Sequence, residues 1–338
     1  MFLQRPFFIL SVAVLLALAG SYLFAQTEPA ELEKAGQKLV VLAVADRAEP
    51  FVAFQCMAMR QALQGLDGMV LDVLDAAGDA DLQQQQLKDL VSRKPDYLVL
   101  SAVDAADAME SAKDLAAAGT QIIGIDERLS GPSFVALPHI VQKELGAVAA
   151  RTAIEALKRK AKEEGLIKPQ GRILHLIGAE DDFNSSARAE GFYAALAATP
   201  EIQVVHEGAA DWTDKGGAAA TQEALKLQKN FDVVVAQSDY IALGAANFLS
   251  AQKKRTDVMV IGMDSLAGHG FGLDLIITGV LDASVHQAKP MQVAFELIRD
   301  AQKRGGKIPL HAAQPLKIEL ITAGNVDDAL RRVKNGEL

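Results

Sequence analysis

One repeated cassette restricts this chain more than any other feature. At residues 231–246, FDVVVAQSDYIALGAA, the apolar run Val233, Val234, Val235 and Ala236 leads into the polar turn Gln237-Ser238-Asp239-Tyr240, and a helical pattern resumes from Ile241. An unbroken apolar run bounded by turn residues predicts a strand buried on both faces of a parallel sheet. The polar turn then sits at the strand's carboxyl end, where open α/β sheets hold their ligands.

The cassette recurs along the chain. KLVVLAVA leads into Asp46-Arg47-Ala48-Glu49-Pro50-Phe51 and a helix to about Gly65; MVLDVLDA leads into Gly78-Asp79 and a glutamine-rich helix. DYLVLSAV leads into Asp104 and a helix to Gly119, and QIIGID into Glu127-Arg128 and a loop containing Gly131-Pro132. A second series follows a long charged helix at 145–164. RILHLIGA runs into the turn 180–184 and a helix carrying Arg188, IQVVHEGA into Asp211-Trp212-Thr213, FDVVVAQ into Ser238-Asp239, and DVMVIGM into Asp264 and a glycine-rich turn. Strand onsets recur about every 25–30 residues, the size of a βαβ unit. The fold class is therefore α/β, with two doubly wound parallel-sheet lobes rather than one long sheet. The ending breaks the rhythm, with a strand over 280–287, a helix over 290–304 and a short strand over 315–321. These segments most simply cross between the completed lobes, which gives a hinge and a cleft suited to closure on a ligand.

Composition removes several function classes. A net charge of −9 argues against a nucleic-acid partner, which needs clustered Lys and Arg. Cys56 is the single cysteine, so no internal disulfide, thiol-ligated metal or CxxC redox pair is possible, and it reads as a buried small hydrophobe. The histidines show no metal-binding spacing, and no metal or cofactor is expected. No GxSxG elbow, Walker loop or GxGxxG after the first strand is present. A two-carboxylate hydrolase stays open on residue count alone, although no spacing singles out such a pair.

The N-terminus has its own pattern. Arg5 precedes an apolar run at 7–18 followed by small residues, the three-part form of a secretory leader. Residues 1–25 are expected to be a signal peptide, cut after Ala19 or Ala25, and 26–37 a linker; the other reading is an uncleaved membrane anchor. Export with almost no cysteine points to a bacterial periplasm.

The candidate binding residues lie where strands end. Asp46, Glu49, Asp126, Asp239 and Asp264 follow apolar runs, and Arg128, Arg188, Ser238 and Gln287 add hydrogen-bonding groups. Phe51 and Trp212 occupy the same kind of turn. In two facing lobes these groups converge on one cleft, and the mix suits a neutral polyhydroxy ligand. Asp–Arg pairs grip hydroxyls through charge-assisted bonds, and an aromatic ring receives the C–H face of a sugar. Simpler roles compete. Asp79 and Asp104 read as helix N-caps and Asp211 as cap or contact. Phe51 is also a candidate hydrophobic staple, Trp212 a candidate core residue and Arg188 a candidate surface ion pair. His286 reads as structural.

With these residues assembled, the chain resembles the ribose-type periplasmic sugar-binding proteins, the type I solute-binding family of ABC importers. The resemblance covers residues 38–321 and rests on the Pro50-Phe51 turn, IGID at 123–126, ARAEGF at 187–192, VAQSDYIALGA at 235–245, VMVIGMD at 258–264 and ASVHQ before Pro290. It implies a type I periplasmic binding protein fold with a three-segment hinge, crossing near Leu137-Pro138, Gln287-Ala288 and Pro315-Leu316. The lobes implied are 38–137 with 288–315, and 138–287 with 316–338. It further implies ligand contacts at Phe51, Asp126, Arg188, Trp212, Asp264 and Gln287. Against the family pattern, Glu49 and Ser238 each stand where asparagine is usual, Arg128 lies one residue late, Val52 replaces a second aromatic, and Trp212 replaces a phenylalanine. The implied pocket is more acidic and less aromatic than a pentose site, with a sugar, an amino sugar or a polyol as ligand. The implied protein is a monomer that docks on an ABC permease, or alternatively on a membrane histidine kinase or chemoreceptor. Sugar-responsive repressors share the lobe pair but carry DNA-binding helices where this chain has a leader.

Overall fold

The computed structural model describes residues 36–336. The expected leader and residues 26–35 of the expected linker lie outside them. No helix among the described residues is long and apolar enough to cross a membrane.

The apolar runs form strands buried on both sides. In β8 (Val233–Ala236), Val234 and Ala236 enter one core cluster of the second lobe, and Val233 and Val235 the other. In β1 (Lys38–Val44), Val40, Leu42 and Val44 face one cluster of the first lobe, and Val41 and Ala43 the other. Each fully buried valine is stabilised by about 1.5–3 kcal/mol relative to exposure. A one-residue slip in register exchanges the two faces but exposes neither, so the flanking turns must set the register.

The first sheet also contains β2 (Met69–Asp75), β3 (Tyr97–Leu100), β4 (Gln121–Gly124), β5 (Phe134–His139) and β11 (Ala313–Pro315), in the order β11-β5-β4-β3-β1-β2. All its pairings are parallel. Helices α1 (Pro50–Gln64) and α9 (Pro290–Lys303) cover one face, and α2 (Ala80–Arg93) and α3 (Ala105–Ala117) the other.

The second sheet contains β6 (Gly171–Ile177), β7 (Ile202–Ala209), β8, β9 (Met259–Asp264), β10 (Ala283–Gln287) and β12 (Ile318–Thr322), in the order β12-β10-β9-β8-β6-β7. Only β12 runs antiparallel, against β10. Helices α4 (Gln142–Glu163) and α5 (Phe183–Leu196) cover one face. The other is covered by α6 (Asp214–Lys226), α7 (Asp239–Ala251), α8 (Gly272–Ile277) and α10 (Val326–Lys334).

Both sheets repeat the 2-1-3-4-5 order of doubly wound folds, which places a crevice where the winding reverses, beyond the carboxyl ends of the first and third strands. The chain passes between sheets at 140–141, 288–289 and 316–317. The ending differs in detail from the sequence reading. The single strand expected over 315–321 is two strands, one in each sheet, because the chain crosses lobes between them. Strand β5 occupies part of the loop expected after Arg128, and the terminal helix α10 had no apolar run to announce it.

Candidate functional site

The second lobe supplies the more enclosed half of the site. Helix α5 begins at Asp182, whose Oδ1 accepts the Ser185 N–H at 2.7 Å. It lies hard against α4: a Cβ on Gly146 would meet the Arg188 carbonyl oxygen at 1.9 Å, and one on Gly191 the Lys143 carbonyl oxygen at 1.8 Å. That close approach fixes Arg188, which is 5% exposed. Its Nε donates to Gln142 Oε1 at 2.8 Å and its Nη1 to the Gln237 carbonyl. Burial lowers its pKa, opposed by Asp264, Asp182, Glu49 and Glu127.

The guanidinium lies 5.1 Å from the ring centroid of Trp212, a cation–π contact. Trp212 is presented by a strained turn in which Asp211 and Trp212 both have positive φ, 46° and 58°. The cap of the following helix is Thr213, which accepts the Gly216 N–H, and not Asp211. The indole fits because residue 178 is glycine: a Cβ there would lie 2.2 Å from the ring.

Asp264 and Ser265 form a second strained turn, at φ 115° and 50°. Asp264 is 3% exposed, and its Oδ1 accepts from Gln287 Nε2 at 2.5 Å. Burial pushes its carboxyl up to about 6, against the pull of Arg188 and Gln287. Asp239 lies one layer behind, where it accepts the Ser265 N–H and the Ser284 hydroxyl, each at 2.7 Å. Its carboxylate fills space left by Gly262 and Gly272. Burial and the neighbouring Asp264 raise its pKa well above the carboxylate range. Ser238 caps α7 through the Ile241 N–H. Both are thus turned into the lobe interior. Asp239 acts on the gap by holding the Asp264–Ser265 turn.

The first lobe supplies a more open half. Asp126 accepts from Arg128 through the backbone N–H, Nε and Nη2, the last at 2.6 Å, and Arg128 also reaches the carbonyls of Ala102 and Val103. Asp46 accepts the Ala48 N–H at 2.7 Å. Phe51 is half-buried and belongs to neither core cluster of its lobe, whereas its neighbour Val52 packs on one of them. Glu49 occupies the N-cap position of α1, yet its side chain makes no capping bond. Burial, Asp182, Asp46 and Asp264 together push its pKa up to about 7, with Arg188 opposing.

The halves meet. Arg128 lies 4.7 Å from the ring centroid of Phe183, on the second lobe. Phe54 packs edge-on to Phe271 at 5.6 Å, again from lobe to lobe. Gln142 donates its backbone N–H to Glu127 at 3.3 Å beside the first crossing.

Several residues at or behind this meeting escaped the sequence reading, among them Gln142, Asp182, Phe183 and Gln237, and with them Phe54, Phe271 and Glu127. Asp182 and Phe183 sit in a strand-end turn like the others, which was signal enough. Gln142 lies outside every cassette. Gln237 lies inside one, but nothing marks it as a brace that accepts the Gly178 N–H at 3.0 Å and donates to the Ser185 carbonyl at 2.9 Å. Asp79 and Asp104 cap their helices, and Cys56 is buried. His286 is buried too, with its pKa pushed down to about 4, chiefly by that burial.

A family model for a periplasmic binding protein domain matches residues 40–307. A D-apiose import binding protein from Actinobacillus succinogenes is 27% identical over 274 residues, covering 80% of this chain and 81% of that protein. A ribose import binding protein from Bacillus subtilis is 25% identical over 254 residues, covering 75% and 77%. Among solved structures, an ABC transporter solute binding protein from Bacillus halodurans with bound myo-inositol superposes with a TM-score of 0.73 at 24% identity, covering 88% of this chain and 99% of that one. A periplasmic solute binding protein from Actinobacillus succinogenes with bound D-allose gives 0.70 at 17% identity, covering 86% and 100%. At these identities the two structures establish a shared fold.

Proposed function

The chain belongs to the periplasmic binding protein domain family, and from that premise we propose that it captures a small sugar or related polar ligand between its lobes and delivers it to an ABC-type permease. One observation carries this reading: Arg188, Trp212, Asp264 and Gln287 from one lobe and Glu49, Asp126 and Arg128 from the other converge on one interface. Guanidinium and carboxylate groups in pairs suit vicinal hydroxyls, since a hydroxyl both donates and accepts. Phe51 and Trp212 supply ring faces for the ligand's C–H surface. The relatives' names as import binding proteins for D-apiose and ribose support the same ligand class and a binding role without catalysis.

In this reading one jaw runs from 38 to the crossing at 140–141 and takes in 289–316, and the other takes in 141–288 and the chain from 317; the crossing expected near 137–138 comes later because β5 runs on to His139 in the first sheet. Residues 1–25 direct export to the periplasm. Closure brings the ligand's two faces under opposite lobes and presents a joint surface to the permease.

Titration calorimetry against a panel of monosaccharides and cyclitols tests the proposal. Binding of at least one compound is expected, with recovery of that compound chemically unchanged. Asp264→Ala and Arg188→Ala are each expected to weaken it strongly. Unaltered affinity in both variants rejects the site assignment, and a hydrolysed ligand rejects the transport role.

A further inference from the structure

A small cavity adjoins the gap at Asp264. Tyr240 and Leu243 of α7, Leu266 and Phe271 of the segment after β9, and Leu275 of α8 line it, together with Asp264 itself. Its volume is about 10 Å³, room for a single small group. Gly268 and Gly270, at φ 129° and 79°, turn the chain back so that Phe271 comes over this space. The Phe271 ring is held from two sides. It meets Tyr240 edge-on at 6.1 Å within the second lobe, and Phe54 of the first lobe edge-on at 5.6 Å. The roof of the cavity is therefore an aromatic row that joins the lobes. The acidic groups at the cavity are already engaged. Asp239, which also borders it, accepts the Ser265 N–H and the Ser284 hydroxyl, and Asp264 Oδ1 accepts from Gln287. The rest of the named wall is leucine and aromatic ring. A hydroxyl placed there would give up water for no free partner, whereas an apolar group loses nothing.

We infer that the ligand is a deoxy sugar whose exocyclic methyl group occupies this cavity, and that Leu243 and Phe271 select for it. This rests on the sugar-binding reading above and narrows its ligand class. The ring hydroxyls meet Arg188, Asp264 and Gln287, and the methyl group passes Asp264 into the cavity. The two alternatives to a methyl serve less well. Hydrogen in that place leaves the cavity empty, and its lining forfeits dispersion contacts. A hydroxymethyl group overfills the space and brings a hydroxyl that finds no free partner. Phe54 reaches Phe271 from the first lobe, so closing the lobes and enclosing the methyl group are one event.

The test is titration calorimetry on the purified protein with matched sets of sugars. Each set holds a deoxyhexose, the hexose with a hydroxymethyl group in place of the methyl, and the pentose with hydrogen there. The sets are D-fucose, D-galactose and L-arabinose; L-fucose, L-galactose and D-arabinose; and D-quinovose, D-glucose and D-xylose. In at least one set the deoxyhexose is expected to bind about three- to tenfold tighter than the pentose, the effect of taking one methyl group out of water. It is expected to exceed the hexose by at least as much. Leu243→Phe fills the cavity and should bring the ratio of deoxyhexose to pentose affinity to about one. Leu243→Ala enlarges the cavity and should erase the preference over the hexose, which keeps the test open if the larger side chain prevents folding. Melting curves of both variants check that they are folded. A pentose or hexose that binds as well as the deoxyhexose in every set, or preferences unchanged in a folded Leu243 variant, overturns the deoxy-sugar assignment and leaves the sugar-binding reading in place. No heat with any of these sugars also overturns the assignment, and the wider panel above then decides the sugar-binding reading.

Discussion

The two lobes share one strand order but turn different kinds of surface to the gap between them. On the second lobe Arg188, Asp264 and Gln287 are 5%, 3% and 2% exposed, and Trp212 and Asp264 sit on left-handed turns. On the first lobe Asp46, Glu49, Phe51, Asp126 and Arg128 are only half-buried, and none has a positive φ. Strain of this kind costs on the order of 1–3 kcal/mol per residue and persists only where the surroundings over-determine the conformation. Here they do so: Asp239 holds the Ser265 N–H, and the indole fills the space at Gly178. Under the proposed sugar-binding reading, the second lobe is thus a preformed half-site. The first lobe holds its groups by short local bonds, and its side chains have more freedom to adapt. Binding strength should therefore reside mainly in the second lobe, and choice between similar hydroxyl patterns in the first.

The largest effect sharpens this contrast directly. Arg188→Met and Arg128→Met remove the same group from opposite sides. Arg188→Met leaves Gln142 and the Gln237 carbonyl without their donor inside the lobe and should cost about 2–5 kcal/mol of binding, the range for truncating a buried charged partner. Arg128→Met, on a pair whose side chains are 25% and 12% exposed, should cost about 1 kcal/mol. Calorimetry with one ligand reads both. Equal losses would erase the distinction between a preformed and an adaptable half.

Next in size is the pH dependence of folding. The Asp264 carboxyl is raised from an ordinary carboxylate value to about 6. The folded state therefore holds a proton that the unfolded state releases. Its stabilising contribution is complete below about pH 4 and is lost as pH climbs through about 6, on the order of 2–3 kcal/mol. Glu49 adds a similar loss at higher pH, toward about 7. Asp264→Asn should make the fall of the melting-temperature profile between pH 4 and 6 less steep, the remainder coming from the buried Asp239 and from Glu49, and Glu49→Gln should do the same for its upper part. A wild-type profile that rises over this interval would show that the native carboxylates are stabilised by partners instead.

Gly178→Ala tests the preformed half through packing. The new methyl group must displace the indole, because the space beside residue 178 is already taken by the Trp212 ring. Overpacking of this kind costs about 1–3 kcal/mol, and moving the ring should also weaken binding. Thermal unfolding with calorimetry checks both. A variant with unchanged stability and affinity would mean that the Trp212 turn is not held in place.

The cassette made the strands and their polar ends legible, because most doubly buried strands stay apolar until they stop; His175 in β6 and Ser284 and His286 in β10 are the buried exceptions. It did not say which polar end residue points outward. Asp239 and Asp264 both follow apolar runs, yet one is the first residue of a helix and turns inward while the other closes a strand on a strained turn. That difference arises from Ser265, Ser284 and two glycines that come close only in three dimensions. Gln83 and Gln237 show the same limit. Each braces the loop after a strand, Gln83 by accepting the Val103 N–H and donating to the Ser101 carbonyl, and Gln237 by its bonds to Gly178 and Ser185. One lies in a helix and the other at a strand end, so no shared spacing marks the role.

The smallest expected effect concerns the seam between the halves. Phe183 is 37% exposed and would pass for an ordinary surface aromatic, but its ring receives the Arg128 guanidinium across the gap at 4.7 Å. Arg128 is already neutralised by Asp126, so the ring adds a contact that exists only while the lobes are together. Such contacts contribute about 0.5–1 kcal/mol at exposed positions. Phe183→Ala should weaken binding by a factor of about two to five, through faster ligand release, while leaving the melting temperature of the ligand-free protein unchanged. Stopped-flow release kinetics separates the alternatives. A slower association with unchanged release would place Phe183 on the entry path of the ligand, and the Arg128–Phe183 contact would then add nothing to the grip between the lobes.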